Sequence, residues 1–239
     1  MARQGSVVDV RARCGRLPGR RGFAPRRRHP PSCRADRMID VSRDGGLWTV
    51  TIDRQDKANS LTADMLDELA ETFEAAQEAR AVILTGRGKV FSAGADLEEA
   101  RAGLATSPVW ERLSTAIAAL PGLSVAALNG TLAGGAMGMA LACDIRLAVP
   151  GAKVFYPVMK LGFLPQPSDP GRMAALIGPA RTRLILMGGQ KIEAPEALDF
   201  GLIDRIVEPE TLMETARDIC ADTLAAKPDI ASAIKQMCR

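Results

Sequence analysis

The run AVILTG at residues 81–86 is apolar almost throughout, and four residues later the chain reads FSAGADL (91–97), which is nearly bare backbone. A strand without a polar face must be covered on both sides, as in a layered α/β fold. The small residues that come next offer little packing, so they suit a place where something approaches the main chain closely. The theme returns further on. LSVAALNG reads as a second buried strand, and AGGAMGMALACD after it opens a helix through a glycine pair.

Around these two segments the pattern is strand, strand, helix. LWTVTI alternates with a period of two beside the turn signal DGG. SLTADMLDELAETFEAAQE sets Leu66, Leu69 and Phe73 on one face with Thr62 as cap, which predicts an amphipathic helix. A helix near PVWERLSTAIAAL and strands at IRLAVP and KVFYPV follow. RTRLILMGG, APEALDFGL, IDRIVE and TLMETARDICADTLAAKP read as mostly helical. Strands alternating with helices predict one α/β layered domain from Met38 onward.

The net charge of +3 averages two unlike segments. Residues 1–37 hold eleven arginines, no lysine and two acids, a charge of +9 that leaves −6 on the remainder. RRGFAPRRRHPPSCR has no helical or strand period and too little apolar surface to fold. It suits a nucleic-acid-binding arm, an organelle transit peptide, or a stretch upstream of the working protein. Few serines argue against the second, and the lack of interleaved aromatics against the first. Residues 1–37 are therefore expected to be disordered or extraneous, with no nucleic-acid partner. No apolar run reaches the length of a membrane span. Five cysteines without a CxxC pair or metal-like spacing suit a reducing cytoplasm and give no metal site.

KANSLT, FSAGADL, ALNGTLAGGAMGMALACDIRLA, LGFLP and APEALDFGLIDRIV stand in the order and spacing of the crotonase superfamily, the enoyl-CoA hydratase/isomerase family. The resemblance runs from about Met38 to the last residue. It implies a crotonase (ClpP-like) spiral of repeated β-β-α units with a helical C-terminal part. It also implies an acyl-CoA substrate with no separate cofactor, coenzyme A being part of the substrate, and assembly as a homotrimer or dimer of trimers. Members continue past the segment matching LAAKPDIASAIKQMCR with helices that pack on a neighbouring subunit, so relative to them this chain reads as C-terminally short.

In such proteins a thioester carbonyl sits between two main-chain N–H groups, which the resemblance places at Ala95 and Gly135. Fixed donors in a dry pocket stabilise the negative charge that builds on that oxygen, each by about 3 kcal/mol. Gly134 and Gly135 also begin a helix, whose partial positive end adds to the effect. Read without the resemblance, both segments are tight turns that need glycine for their backbone angles. Asp96 suits the cap of the helix starting LEEARAG. Lys57 matches the place where the coenzyme nucleotide is approached, and is otherwise a surface lysine. Ala58, Ala93, Gly94, Leu97, Gly138, Val158 and Gln166 complete the expected substrate surroundings.

The acid–base machinery departs from the family pattern. The two positions at which hydratases carry glutamates fall here on Gly138 and Val158, and neither can transfer a proton. The only histidine is His29, in the arginine-rich segment. Tyr156 lies two residues before Val158, so on a strand both would share a face; it is a proton donor or a core aromatic with its hydroxyl satisfied. Asp169 sits in FLPQPSDPG, where the family has a Gly-rich turn, and three prolines there can aim a carboxylate inward, although Asp before Pro is also an ordinary turn residue. Glu111 on the helix PVWERLSTA can face the pocket or water. Cys143 reads as a core thiol. Two functions stay open: an enzyme of the lyase or isomerase class that stabilises a thioester enolate with substitute acid–base groups, and a degenerate CoA-ester-binding paralogue.

Overall fold

A computed structural model describes residues 37–238. The expectation for the arginine-rich segment therefore lies almost wholly outside the described residues. The chain runs β1 (Ile39–Asp44), β2 (Leu47–Ile52), α1 (Ala63–Ala75), β3 (Ala81–Gly86), β4 (Val90–Ser92), α2 (Leu97–Arg101), α3 (Val109–Ala118), β5 (Leu123–Leu128), β6 (Thr131–Ala133), α4 (Met137–Ala142) and β7 (Ile145–Ala148). It continues with β8 (Lys153–Phe155), α5 (Val158–Leu161), α6 (Asp169–Leu186), β9 (Ile192–Glu193), α7 (Ala194–Phe200), β10 (Arg205–Ile206), α8 (Leu212–Ala225) and α9 (Pro228–Met237).

The strands form two sheets. Six line up as β1-β2-β3-β5-β7-β10, parallel except for the antiparallel edge pair β1–β2; four more line up as β4-β6-β8-β9. Each of three successive units contributes one strand to each sheet: β3 with β4, β5 with β6, and β7 with β8. β4, β6 and β8 run parallel, so their C-terminal ends leave the small sheet on one side. That repeated exit positions the site.

Local chemistry explains the elements. All six residues of β3 are buried, in keeping with its apolar sequence and its place between β2 and β5. The Thr62 hydroxyl accepts from the Met65 amide at 3.2 Å, satisfying one donor that the first turn of α1 cannot pair internally. Below it, Met65, Leu66, Leu69, Ala70 and Phe73 are buried. IDRIVE, expected to be mostly helical, instead supplies β10, because Arg205 and Ile206 pair in parallel with Leu147 and Ala148 at the sheet edge.

The segment KANSLT is held by Asn59, whose side chain is fully buried. Its Oδ1 accepts from the Arg54 amide at 2.8 Å, and its Nδ2 donates to the carbonyls of Arg87 at 3.0 Å and Val90 at 2.6 Å. Ala58 and Asn59 both take positive φ, 50° and 53°, which asparagine tolerates better than most residues. Asn59→Ala removes the side-chain acceptor of the Arg54 amide and one donor each to the part-buried carbonyls of Arg87 and Val90, and should cost about 2–3 kcal/mol, read as a lower midpoint in urea unfolding with unchanged slope.

Candidate active site

The bare stretch after β4 and the glycine pair after β6 meet backbone to backbone. Gly94 has φ +90°, and a Cβ there would stand 2.8 Å from the Ala133 carbonyl oxygen and 3.3 Å from the Gly134 Cα. Nothing larger than glycine fits that contact. Leu61 bridges to this stretch, its amide donating to the Gly94 carbonyl at 2.8 Å and its carbonyl accepting from the Asp96 amide at 2.8 Å. In such a parallel bridge the middle residue's own N–H lies on the opposite edge. Ala95 is that residue, and it lines a cavity.

The cavity measures about 210 Å³ and is walled by Ala93, Ala95 and Leu97 from the first stretch, by Gly134 and Gly135 from the second, and by Tyr156 and Val158 from the third. Gly135 lies in the single 3₁₀ turn before α4, where amides have no partner within the helix. That turn and the six-residue α4 are short, so the amide itself matters more there than a helix dipole. A Cβ on Gly135 would meet the Trp110 ring at 3.2 Å. Trp110 completes this wall, its indole N–H donating to the Leu104 carbonyl at 2.8 Å. A large aromatic in the α3 sequence was the signal for it, since a site of bare backbone needs a bulky wall.

Ala133 pairs with Phe155, so Gly134 and Tyr156 leave the small sheet side by side. Here one expectation is corrected. β8 ends at Phe155, and Pro157 and Val158 turn into α5, so Tyr156 and Val158 do not share a strand face. Both line the cavity nonetheless. The Tyr156 hydroxyl donates to Asp169 Oδ2 at 3.0 Å and accepts from the Gln166 amide at 3.3 Å.

Asp169 is likewise relocated. It is not a loop residue but the first residue of α6, with no exposed surface. Burial pushes its carboxyl up to about 7, against the opposing pull of the Tyr156 hydrogen bond and of Arg172. Its Oδ1 has no hydrogen-bond partner among the described residues. That oxygen faces Gly138 on α4, where a Cβ would stand only 2.8 Å away. The absent side chain at 138 and the present carboxylate at 169 therefore occupy one space. Burial also drives the Tyr156 phenol upward.

Glu111, expected to face the pocket or water, does neither in full. Its carboxylate accepts from the Ser168 hydroxyl and, at 3.2 Å, from the Ser168 amide, holding the chain where α6 begins. Lys57 is exposed and lines no part of the cavity. Asp96 caps α2 by accepting from the Glu98 amide at 3.1 Å, and Arg54 binds it at 2.8 Å and holds its carboxyl below the usual range. Ala58, Gly94, Gly138 and Asp169 also stand outside the cavity wall. Cys143 is buried, and its thiol is pushed up to about 12, which removes it as a nucleophile at neutral pH. Gln166 lines the cavity; among the described residues Tyr156 and Gln166 are its only polar side chains apart from the engaged indole.

A larger groove, about 490 Å³, runs along α9 beside Leu123 and Asp144. Its lysine, Lys235, is already engaged with Asp144 at 2.7 Å and the Gly122 carbonyl at 2.8 Å. Among the described residues no helix is long and apolar enough to cross a membrane.

A family model for enoyl-CoA hydratase/isomerase matches residues 42–239. The chain belongs to the enoyl-CoA hydratase/isomerase family. It is 34% identical over 211 residues to a short-chain-enoyl-CoA hydratase of Clostridium acetobutylicum, covering 83% of this chain and 79% of the relative. It is also 34% identical over 209 residues to a carnitinyl-CoA dehydratase of Citrobacter koseri, covering 84% and 80%. Among solved structures, an enoyl-CoA hydratase from Bacillus anthracis superposes with a TM-score of 0.76 at 31% identity, covering 84% of this chain and 81% of that one. The α/β fold of the family is thus the fold of this chain.

The raised Asp169 carboxyl links folding to pH. The folded protein holds that proton up to about 7 and the unfolded chain only to about 4, so the contribution is fully present at low pH and lost as pH rises through 7. Against Asp169→Asn, the natural protein should lose up to about 1.4 kcal/mol per pH unit between these values. Urea titrations at pH 5, 6, 7 and 8 would show it as a widening gap in favour of the variant.

Proposed function

We propose that this protein processes an acyl-CoA thioester by stabilising its enolate between the main-chain N–H groups of Ala95 and Gly135, with acid–base groups other than the family's glutamates. The observation that carries the reading is the contact of two bare segments on the wall of an apolar cavity. Gly94 against Ala133 brings the stretches bearing the two amides together, and Ala95 and Gly135 both line the same space. Removing a proton beside a thioester puts charge on its oxygen, and preorganised amides in a water-poor site stabilise that charge.

The cavity is smaller than the ~300–1,000 Å³ of sites that enclose a drug-sized molecule, so it suits a short acyl group while the coenzyme extends outward. Leu161 and Leu164 line the cavity and are exposed on their outer side, an apolar rim in keeping with a pantetheine arm. Lys57 sits on an exposed turn four residues before Leu61, which bridges to Ala95, and is proposed for the nucleotide end of the coenzyme. Assembly as a homotrimer or dimer of trimers and a cytoplasmic location belong to the same proposal and rest on the family.

Standard hydration is not expected. Among the described residues no Asp or Glu lines the cavity, so none of their carboxylates holds and activates water there. The favoured chemistry is proton transfer next to the carbonyl.

Calorimetry should show acetyl-CoA and crotonyl-CoA binding more tightly than free CoA, because only the thioesters present a carbonyl to the two amides. Equal affinity of all three would remove the reading. In the same assays the natural protein should hydrate crotonyl-CoA very slowly. Gly138→Glu with Val158→Glu, made on Asp169→Gly to clear the 2.8 Å contact, should raise that rate.

A further inference from the structure

We propose that Tyr156 and Asp169 form a two-residue proton relay that removes and returns a hydrogen at the carbon beside the thioester, Tyr156 meeting the substrate and Asp169 holding the proton behind it. The relay rests on the thioester reading of the cavity.

Three observations place it. Tyr156 lines the cavity and leaves β8 beside the strand that delivers Gly134 and Gly135, so its ring stands next to one of the two amide-bearing segments. Its oxygen gives its own hydrogen to Asp169 and accepts one from the Gln166 amide. A hydroxyl has two lone pairs, so one is left to receive a proton. Asp169 is wholly buried with Oδ1 unpartnered among the described residues, directed at the space over Gly138. A buried unpaired carboxylate oxygen is costly to stability and calls for a role. The geometry is also prepared: Glu111 fixes Ser168, and with it the start of α6.

The step balances without a co-reactant. The substrate Cα–H bond breaks and its electron pair moves into a carbon–carbon double bond, leaving the negative charge on the thioester oxygen between the two amides. The released proton bonds to the Tyr156 oxygen as that oxygen's own proton passes to Asp169 Oδ2, so the carboxylate becomes a neutral acid. Reversal returns a proton to the same carbon, or to another carbon of a conjugated enolate, which is isomerisation. The charged or titratable groups that face Asp169 are Tyr156 after β8, Arg172 one turn along α6 and Glu111 on α3; α4 presents Gly138, which has no side chain.

The test is hydrogen exchange at the α-carbon of butyryl-CoA in D₂O, followed by NMR on the full chain, with binding of the same thioester measured separately by calorimetry. Exchange is expected in the natural protein, rising with pH to half its maximum near 7, where Asp169 gives up its proton. Tyr156→Phe should lower it by at least about 100-fold while thioester affinity stays within a few fold. Asp169→Asn should lower it similarly and flatten the pH profile. Binding without exchange overturns the relay and leaves the thioester reading standing, as does exchange undiminished by Tyr156→Phe. Exchange that is flat with pH in the natural protein overturns the role of Asp169 without recourse to any variant. Failure to bind the thioester overturns the thioester reading, and the relay with it.

Discussion

The contact of Gly94 with the Ala133 carbonyl is the constraint on which the site depends. Two strands of the small sheet end, and the residues that follow them touch through backbone alone. A Cβ at 94 would separate the segments bearing Ala95 and Gly135, and the positive φ there already excludes most side chains. Asn59 reinforces the arrangement from below, since its side chain ties the start of β4 to the turn before α1. The Ser92 hydroxyl joins the same network, donating to the Asn59 carbonyl and accepting from the Gly94 amide.

The repeated architecture explains why three different elements meet at one place. β4, β6 and β8 are neighbours, and Ala95, Gly135 and Tyr156 each follow the end of one of them. Ligands of parallel sheets collect at the C-terminal ends of strands, where the chain turns and exposes amides. In the proposed site two of these ends supply amides and the third supplies a phenol. The same repetition allows chemistry to change, because α6 after the third unit can send a carboxylate to the space that α4 leaves empty at Gly138.

Much of this was legible in the residues. The run AVILTG had to be a doubly covered strand, and the glycines after it and after LSVAALNG signalled close approach. The packing of Asp169 on Gly138 was not legible, because the two stand thirty-one residues apart and nothing local in SDPG distinguishes a turn from a helix start. Tyr156 was placed on a strand because KVFYPV has strand character, yet Pro157 ends the ladder by removing a donor. Glu111 looked free because a helix sequence does not say which neighbour it faces; Ser168 captures it. The Arg54–Asp96 pair is hidden in the sequence for a similar reason, since α1, β3 and β4 lie between the two residues.

The central claim is that two backbone amides grip a thioester carbonyl in this cavity. Difference infrared spectroscopy of crotonyl-CoA carrying a ¹³C-labelled carbonyl tests it directly. The carbonyl stretch should move to lower frequency on binding, as hydrogen bonds from Ala95 and Gly135 weaken the C=O bond, and Gly94→Ala should diminish that shift by forcing the two segments apart. A bound thioester whose carbonyl stretch stays where it is in water would contradict the account.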